Sequence, residues 1–150
     1  MEPAAAYVTL FAISFLAATI FPAQSELVLA GMLLSGAYDL RLLILVATAG
    51  NTAGACVNWG LGRFIHFFRG RRWFPVSGAK LERAELWYRK WGVWSLLLSW
   101  APVVGDALTV LAGMARVRLS TFILLVGLAK GGRYLVLAWG LRTAVGQPLP

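Results

Sequence analysis

The chain has 150 residues, 59% hydrophobic and 13% charged, and its mean hydropathy is +0.72. A soluble domain carries about 25% charged and about 45–50% apolar residues, so this composition excludes a water-soluble globular protein and argues against disorder. Cys56 is the only cysteine, which excludes an internal disulfide scaffold, and the length suits one compact membrane domain. The 14 Lys and Arg against 6 Asp and Glu give a net charge of +8, which in a membrane protein marks basic cytoplasmic loops rather than nucleic-acid binding.

A crossing helix needs about 20 predominantly apolar residues. The first uncharged stretch runs from Pro3 to Ser25 and is followed by a shorter one from Leu27 to Tyr38. This region, roughly 4–36, is too long for one crossing and too short for two. Leu42 to Gly62 is uncharged and reads as a single span over roughly 40–62. A charged segment follows from Arg63 to Lys90. Trp91 to Gly105 and Ala107 to Ala115 form a second awkward region, roughly 91–115. Roughly 119–142 reads as a second span, interrupted by Lys130 and Arg133. A signal peptide over 1–25 is disfavoured, because its n-region holds Glu2 and no Lys or Arg.

Each awkward region has a proline near its middle, Pro22 or Pro102, with an acid four residues on, Glu26 or Asp106. Proline blocks a helix and favours an extended residue before it. Both regions are therefore predicted to be re-entrant helical hairpins that enter, break at the proline and return. Broken backbone at membrane depth must be covered by protein or water, so the breaks should face each other or a cavity.

At a shift of 80 the chain matches itself. Pro22 meets Pro102, Glu26 meets Asp106, and Trp59-Gly60-Leu61 meets Trp139-Gly140-Leu141. With a two-residue slip, Ala30-Gly31-Met32 meets Ala112-Gly113-Met114. One hairpin plus one crossing ends on the side opposite its start, so two such copies must be inverted, an arrangement common in secondary transporters. The expected fold is thus an all-α integral membrane protein of two inverted repeats, about 4–62 and about 91–144, joined by an interfacial basic linker, about 63–90. With that linker cytoplasmic, Arg63, Arg69, Arg71, Arg72, Lys80, Arg83, Arg89, Lys90, Arg116 and Arg118 lie inside, and only Arg41 and Arg142 lie outside. Both termini and the region around Ala37 are then outside, and the region around Val117 inside.

The linker stretch Arg63 to Phe74 mixes aromatics with arginines, which suits an amphipathic helix on anionic lipid and equally an ordinary basic loop with an aromatic belt. His66, the only histidine, reads as interfacial and leaves no metal site. No H-E-x-x-H, G-x-S-x-G, P-loop or G-x-G-x-x-G pattern occurs, so no enzyme and no cofactor are expected.

Four charges remain inside the membrane: Glu26, Asp106, Lys130 and Arg133. An intramembrane charge costs at least about 2.5–3.5 kcal/mol. Lys130 is about 16 Å from the nearer end of its span at ~1.5 Å per residue, too far to snorkel. Lys130 and Arg133 are three apart and share a helix face, with Gly131 and Gly132 between them for close backbone approach. Asn51, mid-span in the first repeat, occupies the repeat position of Gly131. The functional reading is a central polar site of the two acids and the Lys/Arg pair, with Asn51 nearby. The competing reading is two buried salt bridges that pin the hairpins. Gly50-x-x-x-Gly54 and Gly127-x-x-x-Gly131 suit close helix packing.

Phe21-Pro22-Ala23-Gln24-Ser25-Glu26, followed by Ala30-Gly31-Met32-Leu33 and Ser35-Gly36, resembles the first re-entrant motif of the DedA family, also called the VTT or SNARE-associated domain. Pro102 followed by Ala112-Gly113-Met114 resembles the second, and Gly50-Asn51 with the run Leu97 to Asp106 looks most like its short YqaA-like branch. The resemblance covers about 5–145 and implies facing hairpins in the bacterial inner membrane and lipid-linked transport. Typical members carry arginines three residues before and after the second-hairpin proline; here those positions are Ser99 and Gly105.

The expected function is a transporter or flippase of an anionic lipid (a polyprenyl phosphate or phospholipid) or a small anion, with proton coupling through the acids. Lys130 and Arg133 would bind the anion, with Glu26 and Asp106 as gates or counter-charges. The rivals are a proton-coupled cation or drug exporter and a non-transporting scaffold. The partners implied are membrane lipids with an anionic headgroup or lipid phosphate. A homodimer stays open, and nucleic acid is not expected.

Overall fold

The structure, a computed structural model, describes residues 2–19, 24–64, 78–102 and 104–146. Pro22, His66 and the rest of residues 65–77 of the basic linker lie outside these residues. The described residues form six α-helices: α1 (Pro3–Ala17), α2 (Gln24–Leu34), α3 (Leu40–Arg63), α4 (Gly78–Trp91), α5 (Gly105–Met114) and α6 (Leu119–Ala144). A 3-10 helix, Gly92–Leu98, precedes α5. The two long apolar helices α3 and α6 coincide with the two predicted spans. At ~1.5 Å per residue they reach about 36 and 39 Å, enough for a hydrocarbon core of about 30 Å. The helices α1, α2 and α5, of 15, 11 and 10 residues, are too short to cross by the same measure.

Local signals set the boundaries. Pro3 opens α1 at its first position, where its missing N–H costs nothing. Asp39 caps α3, its carboxylate accepting from the Leu42 N–H at 3.0 Å. Gly36, in the left-handed region at φ +67°, stops α2, and its N–H donates to the Leu33 carbonyl. The end of α5 is built alike. Arg116 adopts φ +56° and donates to the Gly113 carbonyl, while the Val117 N–H donates to that of Ala112, both at 3.0 Å. Arg116 holds this conformation without the freedom of glycine, at a cost of roughly 1–2 kcal/mol. It lies 80 residues after Gly36, just as the end of α5 at Met114 lies 80 after that of α2 at Leu34.

One expected element differs. The second awkward region opens with a 3-10 helix, not an α-helical half. Gly92, at φ +57°, ends α4 just beforehand, and the tighter 3-10 turns follow.

Two apolar clusters form the core. One joins the second half of α3 (Ala55) to Leu96, to α5 (Leu108, Leu111) and to the first half of α6 (Phe122, Val126). The other joins α1 (Leu10), α2 (Leu29, Leu33), the first half of α3 (Leu43, Ala47) and the second half of α6 (Tyr134, Ala138). The long helices therefore run antiparallel. Between the clusters lies a layer of buried polar groups: Ser14, Ser25, Asn51, Thr52 and Lys130.

Glycines set the closest approaches. A Cβ on Gly50 would lie 2.5 Å from the Phe11 carbonyl oxygen, and one on Gly54 2.7 Å from the Ala18 Cβ. The Gly50-x-x-x-Gly54 spacing is thus used within the chain, against α1. Gly62 and Gly113 interlock where α3 crosses α5, each against the other helix's backbone at Val110 and Trp59. The expectation for Gly131 and Gly132 is corrected: a Cβ on Gly131 would meet only the Thr48 side chain, at 3.5 Å, and one on Gly132 nothing within 4 Å. The side chains of Thr48 and Thr52 hold α3 off α6, so the two backbones do not meet there.

Gly54→Ala is expected to lower the stability of the purified protein by about 1–3 kcal/mol, the usual penalty of overpacking. Gly60→Ala, whose methyl meets open space, should leave it unchanged or slightly raised. Thermal unfolding in detergent checks the pair, and equal midpoints would contradict the packing.

Candidate functional site

The acids occupy equivalent places. Glu26 is in the first turn of α2 and Asp106 in the first turn of α5, where the positive end of each helix dipole favours a carboxylate. Both helices begin just after the prolines at which breaks are expected. Pro102 sits in the turn before α5 and is exposed; Pro22 falls among the residues not described. The cations come from the middle of α6.

Arg133 is the junction. Its Nε forms an ion pair with Glu26 Oε1, and its Nη1 donates to the Trp100 carbonyl at 2.7 Å. One guanidinium thus ties the start of α2 to the turn before α5. The pair is partly covered, with side chains 19% exposed for Arg133 and 25% for Glu26. Lys130 is more deeply placed, at 4% exposed, and its charge interacts with those of Asp106, Arg133 and Glu26. All four predicted charges therefore converge in one region, and their sum is zero. Removing one partner from such a cluster leaves an uncompensated charge at depth, which is far costlier than the pair itself.

Asn51 reaches this region indirectly. Its Nδ2 donates to the Tyr134 hydroxyl at 2.8 Å, and that hydroxyl donates to Ser25 Oγ at 3.0 Å. Among the described residues Asn51 makes no hydrogen bond to a charged group. The relay joins α3, α6 and α2, and Ser25 precedes Glu26 as Tyr134 follows Arg133. Ser25 and Tyr134 are absent from the predicted set, which took the four charges and, among neutral residues, Asn51 alone. The available signal was spacing, since Tyr134 lies one helical turn after Lys130. Asn58, seven residues after Asn51, was a second unread signal. It is fully buried and donates to the Ala18 carbonyl at 2.9 Å, closing the end of α1.

Among the described residues, buried oxygens of Ser14, Thr48, Asn51, Thr52, Asn58 and Ser99 have no hydrogen-bond partner. Buried polar atoms of native proteins are satisfied by protein or by ordered water, so this layer is suited to hold water. The groups that gather here can bind an anion through Lys130 and Arg133, and can exchange protons at Glu26 and Asp106. Among the described residues no group of His, Cys, Asp and Glu is placed to hold a metal ion.

A model of the VTT domain matches residues 21–142. The chain belongs to the VTT-domain, or DedA, family of membrane proteins. It is 43% identical over 138 residues to the inner membrane protein YqaA of Escherichia coli, covering 92% of each chain. It is 37% identical to an uncharacterized protein of Haemophilus influenzae, covering 85% of this chain and 82% of that one. A more distant similarity, 26% over 112 residues, is to undecaprenyl phosphate transporter A of Staphylococcus aureus, over 69% of this chain and 55% of the relative. No solved structure matches.

Against the typical DedA pattern, the turn before α5 lacks both arginines. A side chain at Gly105 would strike the Ser99 backbone, so the second position is sterically closed. Ser99 itself is buried. The guanidinium at this turn is Arg133, delivered from α6 instead.

Tyr134→Phe should remove the relay while keeping the ring in the core. Interhelical hydrogen bonds in membranes are worth about 0.6 kcal/mol each, rarely above about 1.7. The variant is expected to lose about 1 kcal/mol in detergent unfolding, and Asn51→Leu added to it should cost less than it does alone. Additive losses would show that the two residues do not act together.

Proposed function

We propose that the chain is a multi-pass transporter or flippase of the bacterial inner membrane, moving an anionic lipid or a small anion. The observation that carries the reading is Arg133, mid-way along an apolar helix, joined to Glu26 and to the Trp100 carbonyl with Lys130 and Asp106 close by. Charges at this depth mark substrate or proton pathways more often than they serve stability. The names of the relatives, an inner membrane protein and an undecaprenyl phosphate transporter, agree with it.

The proposed architecture is two inverted repeats, each a re-entrant hairpin and a crossing, with the linker cytoplasmic. Three features support it. The short helices cannot span. The left-handed stops at Gly36 and Arg116 and the ends of α2 and α5 recur at 80 residues. Each long helix also touches the short helix of the other half, α3 extensively on α5 and α6 to a smaller extent on α2. Cation–aromatic pairs mark the two ends of the linker, Arg63 over Trp59 at 5.1 Å and Lys90 over Trp91 at 5.6 Å, as an interfacial segment requires.

In this reading the resting site is self-neutralised. An arriving phosphate competes with Glu26 for Arg133, whose planar fork suits phosphate. A proton on Glu26 removes the competing charge and favours the loaded state, which links transport to a proton gradient. Lys130 and Asp106 form the second half of the same exchange.

Flipping of a fluorescent lipid phosphate in proteoliposomes tests this. Lys130→Gln and Arg133→Lys are expected to slow it at least tenfold in protein that still purifies as a folded species. Glu26→Gln should remove the dependence on an imposed pH gradient. The structural salt-bridge reading requires that Glu26→Gln/Arg133→Gln, which removes both partners, restore the wild-type rate; that result would overturn the proposal.

A further inference from the structure

The lipid-facing side of α6 carries a concavity that the charge cluster does not require. It is a groove of about 390 Å³ lined by Trp100, Leu128, Ala129, Gly132, Arg133 and Val136. Five of these are on α6, spaced four apart along 128, 132 and 136 with 129 and 133 beside them, so they form one stripe about 12 Å long. The remaining wall is Trp100, from the turn whose carbonyl holds the Arg133 guanidinium. The rim faces outward: Leu128 is 60% exposed, Val136 69% and Trp100 46%. Among the described residues of the lining, Arg133 is the only charged one.

Gly132 forms part of the groove wall. Among the described residues a Cβ there would meet nothing within 4 Å, so no packing contact between them explains the missing side chain. Nor does the backbone, since Gly132 is helical and glycine in a helix interior costs roughly 0.5–1 kcal/mol relative to alanine. What its absence leaves is an apolar channel from the guanidinium to the surface that bilayer lipid would touch. A water-soluble anion has no use for such an opening. An amphiphile does: its phosphate can reach Arg133 at mid-membrane depth while its hydrocarbon chain stays in the bilayer.

We propose that this groove is a lateral portal for the hydrocarbon chain of a lipid phosphate bound at Arg133, and that Gly132 sets its width. The inference rests on the anion-transport reading above and narrows it to a lipid substrate drawn from the bilayer. The complementarity is local. The apolar walls accept the chain, and the one cation at the inner end accepts the headgroup.

Photo-crosslinking of the purified full-length chain with a diazirine-bearing C16 alkyl phosphate tests the portal. Label is expected on Trp100 or within residues 128–136, reduced by unlabelled alkyl phosphate and not by hexadecanol. Gly132→Leu should lower it at least tenfold. Gly140→Leu, on the same helix, also with open space at its Cβ and outside the groove lining, should retain it. Val136→Trp, which narrows the groove from an exposed position, should act as Gly132→Leu does and guards against a folding defect in the latter. Phosphate-selective labelling that ignores both groove variants would overturn the portal and leave the anion reading standing. So would competition by inorganic phosphate as strong as by alkyl phosphate. Labelling that hexadecanol suppresses equally would overturn the anion reading itself.

Discussion

Charged groups and broken backbone are both expensive in hydrocarbon, and the arrangement of this protein follows from placing the two together. Each free backbone polar group at membrane depth costs several kcal/mol, and each charge at least about 2.5–3.5 kcal/mol. Arg133 addresses both. Its guanidinium takes the Trp100 carbonyl at the turn before α5 and the Glu26 carboxylate at the start of α2. A single side chain from α6 thereby joins the first turn of α2 to the turn before α5. Lys130 and Asp106 extend the neutralised region, and the Asn51–Tyr134–Ser25 relay joins it to α3.

The packing around this centre divides into tight and loose contacts. The contacts of α3 with α1 and α5 are backbone-close, set by Gly50, Gly54, Gly62 and Gly113. Those between α3 and α6 run through Thr48, Thr52, Asn51 and Tyr134 and leave polar atoms without protein partners. Apolar clusters close the layer on either side. The polar seam is therefore the least densely satisfied part of the interior, and it adjoins the charges.

Much of this was legible in the chain itself. The two spans could be read from apolar length alone. The turn before α5 was marked by Pro102, while Pro22 lies outside the described residues, and the four charges stood out by their isolation among apolar residues. The relay through Ser25 and Tyr134 was not legible, because which neutral polar residues meet across helices is decided by the packing of α2, α3 and α6 and not by spacing along one helix. The closest approaches were misplaced at Gly131 and Gly132, since glycine spacing alone does not tell a packed face from an open one. The 3-10 start of the second half was hidden because Gly92 signals a stop without saying which helix type resumes. The family pattern offered no cation at positions 99 and 105, and the cation at that turn comes from a helix about 30 residues further along the chain.

The central claim is that the four charges form a site for a lipid phosphate and not a closed knot of salt bridges. An experimental structure of the protein in a lipid nanodisc, bound to a brominated alkyl phosphate, tests it most directly. The expected result is phosphate within hydrogen-bonding distance of Arg133 or Lys130 at mid-membrane depth, with Glu26 displaced from the guanidinium. Phosphate found only at the headgroup level, with all four charges still paired among themselves at saturating ligand, would contradict it.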